Sequence, residues 1–274
     1  MLLFPYAKIN IGLNIIRKRP DGYHDLETAF YPIPLQDVLE IKVLEGSNAP
    51  YRLQQVGQGT PTAPEDNLVV KVYKAMRAEF DLPPLDIYLF KRIPTGAGLG
   101  GGSSDAAHMM KAINEEFDLG LTPADMEQRI ARFGADCAFF VQQRPAFATG
   151  IGEQLSPLPL SLKDKTVVLI KPDVSVSTKE AYQHVRPHQP AFDLRQSVLA
   201  PMENWKETVV NDFEAYVFDA YPEIAAIKST LYDMGAVYAA MSGSGSSVYG
   251  FFDIPPMDAA KVFPDCFVFQ QKLR

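Results

Sequence analysis

Pro94-Thr95-Gly96-Ala97-Gly98-Leu99-Gly100-Gly101-Gly102-Ser103-Ser104-Asp105-Ala106-Ala107 decides how this chain is read. The run follows Leu85-Asp86-Ile87-Tyr88-Leu89-Phe90-Lys91, which predicts a strand that stops at Pro94. It opens onto a segment, about 104–117, whose spacing predicts a helix. Glycine has no Cβ and tolerates positive φ, so such a backbone can turn tightly and come close to a ligand. The first N–H groups of a helix lack intrahelical acceptors and favour an anion. Ser103 and Ser104 add hydroxyls that can donate to phosphate or ligate a metal. The arrangement suits a triphosphate. A flexible linker would not sit between a strand and an Ala-rich helix. The run is not a Walker A loop, because no Gly-Lys-Ser/Thr ending is present. Gly96-x-Gly98-x-x-Gly101 matches the dinucleotide pattern formally, but no acidic residue follows on a second parallel strand about 20 residues later.

Outward from this run, residues 8–16 are Ile-rich and alternating, as a strand would be, and Pro20-Asp21-Gly22 marks a turn. Residues 37–44 predict a further strand, and 57–66 form a Gly/Pro/Thr loop. Asp66-Asn67 is placed to cap a helix carrying Leu68, Val69, Val72, Tyr73 and Met76 at helical spacing. Thr122-Pro123-Ala124-Asp125 reads as another helix start. Gly150, Gly152, Pro157 and Pro159 cluster before a fresh apolar strand at 166–170, so a domain boundary is expected near residue 155, giving domains 1–155 and 156–274. The second half predicts helices at 179–184, 211–218 and 223–234, with strands at 238–241, 247–252 and 267–270.

The 274 residues are 47% hydrophobic and 22% charged, with a formal net charge of −7. This is an ordinary globular composition. Nucleic-acid binding and polybasic membrane attachment need a surplus of Lys and Arg, which is missing. Cys137 and Cys266 form neither a disulfide framework nor a zinc spacing. The apolar start lacks a basic leader, and no apolar run reaches membrane-spanning length. The chain is therefore expected in the cytoplasm, as a monomer or weak homodimer acting on a small molecule.

A second glycine/serine run, Met241-Ser242-Gly243-Ser244-Gly245-Ser246-Ser247, lies between two apolar segments. Alone it reads as well as a hairpin turn; beside the first run it reads as a loop that closes on phosphates. With Ala7-Lys8-Ile9-Asn10 near the start, the three blocks resemble the GHMP kinase superfamily. Further blocks resemble the branch whose alcohol acceptor carries a cytidine diphosphate: Arg19-Pro20-Asp21-Gly22-Tyr23-His24, Gly134-Ala135-Asp136 and Asn211-Asp212-Phe213-Glu214. The resemblance covers residues 4 to about 252. It implies an α+β, two-domain GHMP kinase fold, with a ribosomal-protein-S5-like N-terminal domain, a ferredoxin-like C-terminal domain and the site in the cleft between. It also implies ATP-dependent phosphorylation of an acceptor hydroxyl, with Mg²⁺.

The resemblance assigns roles residue by residue. Asp136 would be the base for the acceptor hydroxyl and Lys8 its partner; a neighbouring ammonium would keep the carboxylate ionised. Asn10, Tyr23, His24, Thr178 and Tyr182 would contact the acceptor, with Tyr23 and Tyr182 flanking the cytosine, His24 hydrogen-bonding it and Thr178 helping to orient Asp136. Branch members often carry Phe where Tyr182 stands. ATP would meet Asn67, Pro94, Gly96, Gly98, Leu99, Gly100, Gly101, Gly102, Ser103, Ser104, Gly243 and Ser244. Ser104 would also reach the metal. The proline usual after the base motif is replaced here, in Ala135-Asp136-Cys137-Ala138. A kinase for another small alcohol of the mevalonate or homoserine type, and an inactive nucleotide-binding regulator, are the alternative readings.

Overall fold

The computed structural model describes residues 1–46, 48–59 and 63–274, so part of the expected 57–66 loop lies outside the described residues. In chain order the elements are β1 (Leu2–Leu3), β2 (Tyr6–Lys18), β3 (His24–Gln36), β4 (Val38–Val43), β5 (Tyr51–Gly57), α1 (Leu68–Glu79), β6 (Leu85–Lys91), α2 (Gly101–Glu116), α3 (Pro123–Ile130), α4 (Phe139–Gln142), β7 (Ala146–Thr149) and β8 (Gln154–Pro157). They continue as β9 (Thr166–Lys171), α5 (Thr178–His184), α6 (Leu194–Ser197), α7 (Trp205–Thr208), α8 (Glu214–Ala220), α9 (Pro222–Asp233), β10 (Tyr238–Met241), β11 (Val248–Phe252), α10 (Ala259–Val262) and β12 (Phe267–Lys272). The mixture of helix and strand is the expected α+β class.

By Cα proximity the chain forms two compact units, neither of them a single stretch. The first comprises Met1–Ala7, Leu35–Thr95 and Gly100–Gln143; the second comprises Lys8–Pro34, Gly96–Leu99 and Arg144–Arg274.

The first unit holds a four-stranded sheet in the order β1-β4-β6-β5, in which only β5 and β6 run parallel. Leu39, Ile41, Leu85, Ile87 and Leu89 are buried at every second position, which is the period-2 signature of a sheet face turned to the core. α2 lies against β1 and β4, and α1 against α2. α1 buries Val69, Val70, Val72, Tyr73 and Met76 on one stripe. It starts where expected, because the Asn67 side chain accepts from Val69 N at 2.9 Å and leaves no continuation of the turn before it. Thr122 and Asp125 form a full capping box at the start of α3.

The second unit holds two four-stranded sheets, β2-β3-β7-β8 and β10-β11-β9-β12. In the latter all pairings are antiparallel. The connectivity β9, helices, β10, β11, helix, β12 is the ferredoxin-like arrangement expected for the C-terminal part. Val168, Ile170, Met241, Val248 and Phe252 from this sheet share one core with Leu13, Ile15 and Leu26 from the other, closed by Val217, Ile224, Ile227 and Leu231 of α8 and α9. Fully burying an aliphatic side chain contributes roughly 1.5–3 kcal/mol, so this core fixes β2 against the C-terminal sheet firmly.

Two expectations need correction. α2 begins at Gly101, three residues before the expected start, because glycine tolerates the first turn and Gly100 supplies the left-handed entry with φ 69°. The expected helix at 211–218 begins instead at Glu214, and Asn211 lies in extended backbone, bridged to Leu13 of β2.

Candidate active site

In the first unit, the glycine run from Gly100 onward becomes the start of α2. The earliest intrahelical bond of its first turn is Ser104 N to Gly100 O, at 2.9 Å. By helix geometry the N–H groups of Gly101, Gly102 and Ser103 precede that ladder. Gly102 is exposed, and among the described residues a Cβ there would meet only Leu68, at 3.8 Å. The residues present thus fit a phosphate chain.

They fit Mg²⁺ less directly. Among the described residues no group of three or more His, Cys, Asp or Glu could hold a metal. Ser104, the expected metal ligand, is fully buried with Oγ 3.5 Å from His108 Nδ1. Ser103 is the partly exposed hydroxyl of that turn. His108 is itself buried, donating from Nδ1 to the Ser104 carbonyl, 2.8 Å away, and burial depresses its pKa to about 4. It is therefore a neutral packing group against Tyr6.

Asn67 serves as the α1 cap and donates through Nδ2 to Gln55 Oε1 at 2.8 Å. Asp136 sits in the turn between Gly134 and α4, a turn closed by Cys137 N to Gly134 O at 3.1 Å. Beneath the first turn of α2 lies a buried charge cluster that sequence reading did not foresee. Lys91 Nζ donates to both Asp37 and Asp105, and a Cβ on Gly101 would come within 3.4 Å of that nitrogen.

In the second unit the remaining motifs meet. Lys8, only 3% exposed, donates from Nζ to Asn10 Oδ1 at 2.6 Å and to Gly98 O at 3.1 Å. Its backbone N–H also donates to Leu99 O, at 3.0 Å. Asn10 is held in turn by Thr28, through Nδ2 to Oγ1 at 3.0 Å. Ser242 Oγ donates to the same Gly98 carbonyl at 2.9 Å and accepts from Asn10 N at 3.2 Å. The glycine run, the second loop and the N-terminal motif therefore converge on one carbonyl oxygen.

Gly98 is required there for two reasons. Its φ is +75°, and a Cβ would lie 2.0 Å from Ser242 O, a backbone atom that cannot swing aside. Gly96 shares the positive φ, at +64°, but among the described residues nothing lies within 4 Å of a Cβ there. Gly98→Ala is expected to displace the loop and lower kcat by about a hundredfold, the scale on which an ångström of misplacement is felt. Gly96→Ala should cost only the left-handed strain, about 1–2 kcal/mol. Steady-state kinetics and urea unfolding of both variants separate the two effects.

The residues expected at the acceptor fall into two contacts. His24 is buried and stacks on Tyr182, with ring centroids 5.1 Å apart and planes at 27°, and Tyr182 meets Phe213 edge-on at 4.9 Å. Tyr182 is therefore seated on His24, and Tyr23 stands 60% exposed on the turn before it. Burial, followed by the nearby Lys18 charge, lowers the His24 pKa, so the imidazole is neutral at pH 7 with one donor and one acceptor nitrogen. Thr178 Oγ1 lies 3.0 Å from Ser244 Oγ, which ties the start of α5 to the second loop.

The fold and this convergence define a class. Residues 67–144 match the family model of the GHMP kinases N-terminal domain, and residues 195–263 match that of the GHMP kinases C-terminal domain. The chain belongs to the GHMP kinase family. Within it, a 4-diphosphocytidyl-2-C-methyl-D-erythritol kinase of Bacteroides fragilis is 53% identical over 274 residues, 100% of both chains. One of Porphyromonas gingivalis is 45% identical, with 98% of each chain covered. A solved 4-(cytidine 5'-diphospho)-2C-methyl-D-erythritol kinase superposes with a TM-score of 0.82 at 29% identity over 100% of both chains.

Proposed function

We propose that this chain transfers the γ-phosphoryl group of ATP to the 2-hydroxyl of 4-diphosphocytidyl-2-C-methyl-D-erythritol, giving the 2-phosphate and ADP, in the non-mevalonate pathway of isoprenoid biosynthesis. The observation that carries this reading is the seat of Lys8. Its buried ammonium is held at the Gly98 carbonyl, inside the run whose continuation is a phosphate-binding helix start. Full-length relatives of that name support the acceptor.

Phosphoryl transfer has a loose transition state and relies on positioning and charge stabilisation. In this reading the acceptor oxygen forms its bond to the γ-phosphorus as the bond to the β-bridging oxygen breaks, and the hydroxyl proton passes to the Asp136 carboxylate. Lys8 stabilises the charge on the phosphoryl oxygens. The backbone from Pro94 through Gly96, Gly98, Leu99, Gly100, Gly101 and Gly102 to Ser103 and Ser104 holds the phosphates, with Gly243 and Ser244 closing over them and Asn67 near the adenine. Ser103 or Ser104 would offer a hydroxyl to Mg²⁺, which would neutralise charge on the phosphates. Neutral His24 reads the cytosine edge, Tyr23 offers a stacking face, and Tyr182 orients His24. Asn10 and Thr178 complete the acceptor side.

Incubation with ATP, Mg²⁺ and the acceptor should release ADP, and CDP should compete with the acceptor rather than with ATP. ADP release with mevalonate or homoserine and no competition by CDP would transfer the chain to another small-alcohol kinase. No ADP with any acceptor would make it a nucleotide-binding regulator.

A further inference from the structure

Asn211-Asp212-Phe213-Glu214 entered the sequence reading only as a signature, without a role. The structure gives each polar residue of this segment a partner. Asn211, 3% exposed, uses its whole carboxamide: Nδ2 donates to Met241 O at 2.9 Å and Gly243 O at 2.8 Å, and Oδ1 accepts from Phe213 N at 3.0 Å. Two donors and an acceptor on so short a side chain are available only from an amide. Glu214 Oε1 accepts from Met241 N at 2.8 Å, while its Oε2 accepts from Lys228 Nζ at 2.6 Å. Met241 is thus gripped at both its N–H and its carbonyl. On the other side, Asp212 N donates to Leu13 O at 2.9 Å and Asp212 Oδ2 accepts from Ile15 N at 2.7 Å. The segment is a clamp between β2 and the second glycine/serine loop.

Ser242 lies between the two carbonyls that Asn211 holds. Its Oγ reaches Gly98 O, and Gly98 O is also an acceptor for Lys8. Gly243 adds a second constraint, since a Cβ there would stand 3.3 Å from Asn10 Oδ1, which also accepts from Lys8. The Gly98 carbonyl that helps to seat the Lys8 ammonium is therefore tied, through Ser242, to backbone that Asn211 fixes. We propose that Asn211 is a positioning residue for phosphoryl transfer, acting through the 241–243 backbone and Ser242 on the Gly98 carbonyl that seats Lys8. The proposal rests on the kinase reading above for its kinetic consequence, but not for its structural one.

The test compares Asn211→Ala, Asn211→Asp, Ser242→Ala and the double variant Asn211→Ala/Ser242→Ala. Asn211→Ala should lower kcat by about a hundredfold, with KM for ATP and for the acceptor within about threefold of wild type. Asn211→Asp should be at least as damaging, because a carboxylate would face two carbonyl oxygens. The double variant should lose no more than the worse single one, since residues on one path are not additive. A spectroscopic readout needs no turnover: the side-chain ¹⁵N resonance of Lys8, assigned with Lys8→Arg, should move in Asn211→Ala. It should not move in Asn114→Ala, whose carboxamide bonds to Leu121.

Lowered urea stability with kcat per folded molecule and the Lys8 resonance unchanged would overturn the proposal, as would additive losses in the double variant. If Asn211→Ala does not fold, Asn211→Ser and Ser242→Ala decide the same question by the same two readouts. Absence of ADP release by wild type would instead count against the kinase reading, and the Lys8 resonance would still decide the role of Asn211.

Discussion

Asp136→Ala should lose about 10²–10⁴-fold in turnover, the usual range for removing a general base, while binding ATP close to wild type. The two outcomes separate because the nucleotide is assigned to the glycine run and the proton to Asp136. An aspartate is a weak base at pH 7, so most of the effect should come from losing the acceptor hydroxyl's orientation. Asp136→Asn, which keeps one acceptor oxygen, should recover part of the loss. Single-turnover rates and calorimetric titration with ATP measure the two quantities independently. Turnover within about threefold of wild type would remove Asp136 from the base role, and a matching loss of ATP affinity would place it with the nucleotide.

The elements that could be read from sequence share a property: their signals are local. Asn67 followed by Leu68, Val69, Val72 and Tyr73 states a cap and a stripe within one helix. Thr122 and Asp125 state a capping box within four positions of chain. The glycine run could be placed because β6 and α2 flank it directly. By contrast β3, from His24 to Gln36, contains Pro32 and Pro34, which argue against a paired strand. On the β7 side the register covers only Thr28 to Phe30, so Pro32 and Pro34 remove no bond from that ladder. α6 and α7 span four residues each, too short for a 3.6-residue period to show.

Site contacts divide in the same way. Motif blocks named Lys8, Asn10 and the two loops. What joins them is distant in sequence: Ser242 and Gly98 are 144 positions apart, and Asn211 and Gly243 are 32 apart. Only folding brings such pairs together. No periodicity encodes a hydrogen bond between two loops, so Asn211 could be seen as a signature but not as a clamp.

The Lys91 cluster is the clearest case of this kind and carries the largest expected effect on stability. Lys91, Asp37 and Asp105 are all buried, and they lie on β6, at the turn before β4 and in the first turns of α2. Asp37 also accepts from the backbone N–H of Arg92 and Ile93, at 2.5 and 2.8 Å. Burial, opposed in part by the Lys91 charge, pushes the Asp105 pKa up to about 8. Asp105 therefore holds its proton at pH 7, and the ammonium is balanced by a single negative charge. Lys91→Met would leave the buried Asp37 carboxylate without its cation and should cost about 3–5 kcal/mol. That is a large share of the roughly 5–15 kcal/mol typical of a folded protein. Asp105→Asn should stay within about 1 kcal/mol of wild type at pH 5, because it replaces a neutral acid by a neutral amide. The pH dependence follows from linkage. Between pH 4 and 8 the native state binds the Asp105 proton and the unfolded state does not, so this group's contribution to wild-type stability falls as pH rises. Asp105→Asn removes that decline, and its stability relative to wild type should increase from pH 5 to pH 8. Urea midpoints at both values measure the difference. A constant offset between the two proteins would mean that Asp105 is ionised throughout, and that Lys91 is shared by two charges.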